Sequence, residues 1–118
     1  MSLLQTPFEI KDPGYTEIRY TPGGDIAKGA VTVITGSVLV AIADVLTGEE
    51  GAFAVRSTKA TVKKAAPLVL AAGDLVYWDI ADGEVNADSA GPNVFCGWVA
   101  SAAASADVEV DIVFDGLN

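Results

Sequence analysis

The sequence contains no histidine, and its 118 residues include a single cysteine, Cys96. Without imidazole the chain lacks the one side chain whose ordinary pKa sits near neutrality, which excludes Ser-His-Asp and Cys-His arrangements and imidazole-based zinc sites. One thiol builds neither a thiolate cage nor an intramolecular disulfide. Cys96 lies in the apolar run Val94-Phe95-Cys96-Gly97-Trp98-Val99, where it reads as a small buried hydrophobe rather than a reactive nucleophile. A phosphate-cradling loop is also missing, because neither Gly24 to Gly29 nor Gly91 to Gly97 continues with the required Lys and hydroxyl residue.

Positive charge is absent from the second half. Residues 1–64 carry all seven Lys and Arg with seven Asp and Glu, whereas residues 65–118 carry nine acids and no base, for a net charge of −9. An acidic surface without a basic stripe repels phosphate backbones and anionic lipid, so neither nucleic acid nor a membrane is an expected partner. Long hydrophobic runs are lacking too: the uncharged stretches Ala30 to Ala43 and Asn93 to Ala106 are 14 residues each, short of the roughly 20 a spanning helix needs. Met1-Ser2-Leu3-Leu4-Gln5-Thr6-Pro7 has no basic n-region or long apolar core of a secretion signal. Synthesis inside the cell is therefore expected.

What remains is an apolar, lightly aromatic composition, 51% and 8% respectively, rich in Ala and Val that fill small interiors rather than ligand cavities. A chain of this length fits one domain, burying roughly two-thirds of its extended surface. Turn signals recur at Asp12-Pro13-Gly14, Pro22-Gly23-Gly24, Thr35-Gly36-Ser37, Thr47 to Gly51, Ala72-Gly73-Asp74, Asp82-Gly83 and Ala90 to Asn93, with β-rich runs between them. Strands are predicted over 17–21, 31–35, 37–43, 52–58, 59–63, 67–70, 75–79, 84–87, 94–100 and 108–114. The fold class is all-β, a small single-domain barrel or sandwich. Ala100 to Ala106 reads as a short helical turn or a flat loop.

Residues 1–24 hold three of the five prolines and the exposed-looking aromatics Phe8, Tyr15 and Tyr20. They are predicted to form an extended N-terminal arm and a first strand, with 25–118 as the compact β domain; a frayed terminus is the alternative. The segment Ala71 to Asp79 joins a tight turn to a strand with Leu75 and Tyr77 on one face and Val76 and Trp78 on the other. Both faces want cover. One is expected to meet the core and the other a second layer or a second subunit.

Candidate chemistry is thin. Asp79, Asp82, Glu84 and Asp88 cluster near one hairpin, but their spacing is not that of a calcium loop, and turns select Asp for local hydrogen bonding. Two carboxylates across a cleft would suit glycoside hydrolysis, yet wide-spaced acids are the surface norm. No catalytic residue, metal or cofactor is expected. Lys59, Lys63 and Lys64 form the one basic cluster, read either as a solubilising strand edge or as a patch complementary to an acidic surface on a partner or another copy.

Asp44 to Val55, Lys64-Ala65, Ala72 to Asp79 and Cys96-Gly97-Trp98-Val99, followed by an alternating last strand, together resemble the small capsid cement, or decoration, proteins of tailed bacteriophages. The resemblance covers residues 29–114; the stretch before Gly29 is unmatched, and Asp107 to Asp111 is more acidic than the usual ending. Some relatives carry a recombinase label, against which the missing phosphate loop argues. The resemblance implies a β-barrel-like virion protein without enzymatic activity. It implies a homotrimer on the capsid exterior, bound to the major capsid protein and stabilising the expanded shell. Phe8, Tyr15, Tyr20, Lys59, Lys63, Lys64, Tyr77 and Trp78 are the expected subunit or capsid contacts. The alternative is a monomeric adhesion module that binds sugar or peptide on a platform of Tyr77, Trp78 and Trp98.

Overall fold

β-branched and small apolar runs, cut by glycine and aspartate turns, fold in the computed structural model into antiparallel strands with no helix among the described residues 8–11, 14–64, 68–89 and 93–117. The strands are β1 (Phe8–Ile10), β2 (Thr16–Tyr20), β3 (Val31–Ile34), β4 (Ser37–Ala41), β5 (Gly51–Lys63), β6 (Leu75–Asp79), β7 (Glu84–Asn86), β8 (Val94–Val99) and β9 (Glu109–Asp115). They form one sheet in the order β3-β4-β5-β9-β8-β6-β7, with β1 and β2 also paired to β5. The sheet curls into a half-barrel, which decides between the two predicted architectures. The turns at Asp12-Pro13 and Ala90-Gly91-Pro92, the residues before Phe8, and Ala65 to Pro67 lie outside the described residues.

β5 is the spine. Its first half pairs with β2 and β4, and its second half with β1 and β9. The two strands predicted over 52–58 and 59–63 are one strand with a bulge: between Ser57 and Ala60 β5 advances three residues while β9 advances two, from Phe114 to Ile112. The Ser57 hydroxyl donates to the Lys59 carbonyl at 3.0 Å and accepts the Lys59 N–H at 3.2 Å, holding that bulge. The β3–β4 hairpin turns on Thr35 and Gly36, with φ of 49° and 80°. Two consecutive positive φ values make the tight reversal whose twist matches its strands.

Packing corrects several expectations. Phe8 is 2% exposed, its ring 4.9 Å from that of Phe114 and 6.0 Å from that of Trp78, so it is a core residue rather than an exposed arm aromatic. It shares the concave core with Val38, Val40, Val62, Val76, Ile112 and Phe114. β5 is interior, so the basic cluster does not mark a strand edge. Lys64 is 1% exposed: its N–H donates to the Val108 carbonyl at 2.8 Å, its residue bridges Val85 of β7, and its ammonium donates to the Leu68 carbonyl. The predicted strand at 67–70 reduces to a bridge between Leu70 and Ala103, with backbone bonds of 3.0 and 2.9 Å. That bridge also holds Ala100 to Ala106 as a loop; Asp107 closes it by accepting the Ala104 N–H at 2.8 Å.

A second core lies on the outer side of β4 and β5. Leu39, Ala41, Val45, Phe53 and Val55 are buried there beneath Tyr20, Ile26 and Ile34. The covering segment is clasped to itself: Ile26 bridges Val45, the Lys28 N–H donates to Asp44 at 2.9 Å, and the N–H and hydroxyl of Thr47 both donate to Asp25 at 2.8 Å. β4 is thereby buried on both faces.

Two outcomes are expected. Gly97 has φ of 147°, and a Cβ built there meets the Val113 carbonyl oxygen at 2.0 Å, so Gly97→Ala should lower unfolding free energy by about 3 kcal/mol or more in urea titration. The Thr47 N–H and then its hydroxyl hold the Asp25 carboxyl below its ordinary 3.8. A depressed folded-state value contributes stability that is complete above pH 3.8 and is lost as pH falls through the lower folded value. Asp25→Asn should accordingly flatten that part of the acid limb of stability against pH.

Candidate functional site

Alternation along β6 sends Val76 and Trp78 into the core and Leu75 and Tyr77 to the outer face. On β9 the same alternation buries Val110, Ile112 and Phe114 and turns Val113 outward among Glu109, Asp111 and Asp115. β8 breaks its alternation: Val76 faces Gly97 while Tyr77 faces Phe95, leaving Cys96 as the extra residue of a bulge. Beyond the bulge Trp98 points outward. The register places Leu75 opposite Trp98 and Trp98 opposite Val113, one apolar row across three strands. Leu75 is 51% exposed and Trp98 39%. The Tyr77 and Phe95 rings lie beside this row in edge contact, 5.8 Å apart at 69°.

The two ends of the sheet are thus treated differently. Around β4 and β5 the chain covers its own outer face with a second core, whereas Leu75 and Trp98 on β6 and β8 stand open. Beside the row runs an open groove of about 270 Å³, lined by Trp98 and Val113 together with Thr16, Arg56, Thr58 and Asp115. Arg56 Nε lies 3.1 Å from Asp115 Oδ1, an exposed pair of small energetic weight. Asp111 and Asp115 flank Val113 on the outer side of β9, and no Lys or Arg occurs on β6 to β9. A depression of about 280 Å³ farther along β9 is polar, lined by Lys11, Thr61, Ser101, Asp107, Glu109 and Asp111 among others. Thr61 donates its hydroxyl to Asp111 there at 2.7 Å.

Several side chains with catalytic potential are occupied structurally. Asp74 accepts the Ala71 N–H at 2.8 Å, closing the turn into β6. Asp79 accepts the N–H groups of Ala81 and Asp82 at 3.0 and 3.1 Å and the Asn86 amide at 3.3 Å, fixing the β6–β7 hairpin. Burial pushes the Cys96 thiol up to about 12, so it is protonated at neutral pH. Among the described residues no group of three or more His, Cys, Asp or Glu is placed to hold a metal, and no helix is long and apolar enough to cross a membrane. The open face is suited to association: apolar area removed from water contributes about 25 cal/mol per Å².

The predicted contact residues scatter. Phe8, Trp78 and Lys64 are buried, and Tyr15 is half-buried against the same core. Tyr20 packs on the second core, 5.7 Å from the Phe53 ring. Lys59 and Lys63 are exposed on β5, and Tyr77 alone of the eight borders the apolar row. Trp78 and Trp98 lie on opposite faces, so the three-ring platform does not form. Leu75, Phe95, Trp98 and Val113 escaped the predicted contacts. Val113 carried a signal, since it stands apolar on the otherwise acidic side of an alternating strand.

A family model described as phage cement protein matches residues 12–114. The match takes in β2, extending the resemblance seen from Gly29 onward toward the N-terminus. No curated protein and no solved structure matches the chain. The geometry makes a spectroscopic prediction. Acrylamide should quench Trp98 but not the 5%-exposed Trp78, so that Trp98→Phe leaves an emission that is blue-shifted and resistant to quenching.

Proposed function

The chain belongs to the phage cement protein family, and we propose that it binds the exterior of the expanded capsid as a homotrimer and stabilises the shell. The family is structural rather than enzymatic and belongs to the virion. The observation that carries the finer reading is the outer face of β6, β8 and β9, where Leu75 and Trp98 stand exposed in an apolar row with the half-buried Val113. Exposed apolar surface with a polar rim is the mark of an interaction site.

The mechanism is linkage. A protein that binds the assembled shell and not its dissociated parts stabilises the shell by RT ln(1 + [L]/Kd), about 2.7 kcal/mol per site at a free concentration of 100 Kd. A trimer engages several sites together, and modest contacts repeated over a shell become avidity. The major capsid protein is the partner in this reading, and the virion exterior is the location.

Purified protein added to naked expanded capsids should co-sediment with them and raise their melting temperature in calorimetry. Capsids that neither retain the protein nor melt higher in its presence would remove the capsid reading. Sedimentation equilibrium of the protein alone should give a mass three times that of the chain.

A further inference from the structure

A sheet that does not close on itself has edges, and an edge strand carries backbone N–H and C=O groups without a ladder partner. The edges here are β3 at one end of the strand order, β7 at the other, and β1 and β2 along β5. β1, β2 and β7 carry features that discourage a foreign strand. β2 exposes Glu17 and Arg19, β1 has Glu9 and runs into Lys11, and β7 is three residues long, with Glu84 at its start and Val85 bridged to Lys64. β3 has none of these. Val31-Thr32-Val33-Ile34 contains no charge, no proline and no bulge, and the sequence is uncharged from Gly29 to Ala43.

The strand is held in a fixed register. It pairs β4 residue for residue from Val31–Val40 to Ile34–Ser37, and the ladder runs on through the Gly29 N–H to the Ala41 carbonyl at 2.7 Å and the Ala41 N–H to the Ala30 carbonyl at 3.0 Å. Val31 and Val33 pack toward the concave core and Ile34 on the second core. Parity identifies the backbone groups left over. In a two-residue hairpin the pair flanking the turn, Ile34 and Ser37, exchanges both bonds, so Thr32 also faces β4 while Val31 and Val33 aim their N–H and C=O away from it. Among the described residues β3 pairs with no strand but β4.

We propose that this edge receives β3 of a second copy of the chain, antiparallel about a two-fold axis through Thr32. That register sets Val31 opposite Val33 of the other copy, so every outward N–H meets an outward C=O and both residues of both copies are satisfied together. Thr32 meets its own counterpart at the non-hydrogen-bonded position, a threonine pair of the kind that supports sheets. The edge calls for an extended, uncharged, β-branched strand, and β3 itself has that composition. The contact also brings no charge together in a chain of net charge −9. A two-fold contact cannot close a ring of three, so the pairing is separate from the trimer and joins a copy in one trimer to a copy in another. A strand of four residues buries far less than the roughly 1,000 Å² of a stable interface. Isolated copies therefore pair transiently, and copies fixed side by side on a shell pair through avidity.

Thr32→Cys tests the register. The Cα atoms of a non-hydrogen-bonded antiparallel pair are about 4.5 Å apart, within the roughly 4.4–6.8 Å that a disulfide spans. Cys96 is buried, so the introduced thiol is the one that reacts. Under mild oxidation at high micromolar concentration, Thr32→Cys should form disulfide-linked dimers on a non-reducing gel about tenfold or more faster than Leu46→Cys, which sets a thiol at a 56%-exposed position outside the edge. Adding Val33→Pro removes an outward N–H without breaking a bond to β4, and should return the rate to that of Leu46→Cys with an unchanged dichroism spectrum. Val31→Pro serves in its place if Val33→Pro loses the folded signal. Thr32→Cys protein that links no faster than Leu46→Cys overturns the proposal, as does linkage that survives the proline. Thr32→Cys protein that links to the capsid protein rather than to itself on expanded capsids would give the edge to a capsid strand. Sedimentation equilibrium of the wild type reports the trimer separately, so the trimer and the β3 pairing can each fail alone.

Discussion

A strand that hydrogen-bonds on both edges along most of thirteen residues constrains everything around it. β5 takes β2 and β4 along its first half and β1 and β9 along its second, and each partner inherits its position from that register. Backbone donors and acceptors in a sheet interior must be paired, so two partners per half is a requirement rather than an accident. The Ser57–Ala60 bulge is where the allocation changes. Its extra twist helps carry the sheet from a flat array toward a half-barrel. Lys64 then ends the strand by touching β7 through Val85, bringing distant parts of the sheet together.

Curling the sheet gives a concave core but leaves a convex face to be managed. The chain solves that problem at one end with residues between β2 and β5. Ile26 and Val45 bridge there, Asp25 and Thr47 clasp, and Phe53 and Leu39 disappear beneath them. At the other end the β6–β7 hairpin is held by Asp79, and Asp74 closes the turn entering β6. The longer connections of that half, 64–74 and 100–108, bridge to each other through Leu70 and Ala103. Leu75 and Trp98 stay exposed, on the half that carries no positive charge.

Local signals were read well from sequence where local chemistry decides the outcome. The predicted strand 75–79 has the observed bounds, and the chain turns where Thr35-Gly36 and Asp82-Gly83 signalled it, with positive φ at Thr35, Gly36 and Gly83. Alternation in the last strand separated its buried Val110, Ile112 and Phe114 from its outer acids. Nonlocal pairing was less legible. Phe8 looked like an arm aromatic because nothing near it in sequence announces that Val62 will be its ladder partner. Lys64 looked like one of a surface trio because its burial depends on Val108, Val85 and Leu68, all distant from the lysine cluster in pattern if not in every case in number. The break placed between 58 and 59 caught a real irregularity, mistaken for an end of strand because a bulge and a turn share the same loss of period.

The hardest residue to read was Trp98, and the reason lies in Gly97. Phe95 and Trp98 are three apart, so a regular strand would send them to opposite faces. The bulge at Cys96 inserts one residue into β8, and both rings consequently reach the outer side, Phe95 beside Tyr77 and Trp98 between Leu75 and Val113. The backbone there passes so close to Val113 that any Cβ would strike its carbonyl oxygen, and it does so at a φ that side chains rarely adopt. One glycine therefore permits both the strand pairing and the apolar row. In the uninterrupted apolar run Val94 to Val99 that glycine was the sole mark of a change of face. A residue with no side chain of its own thus determines which side chains the face presents.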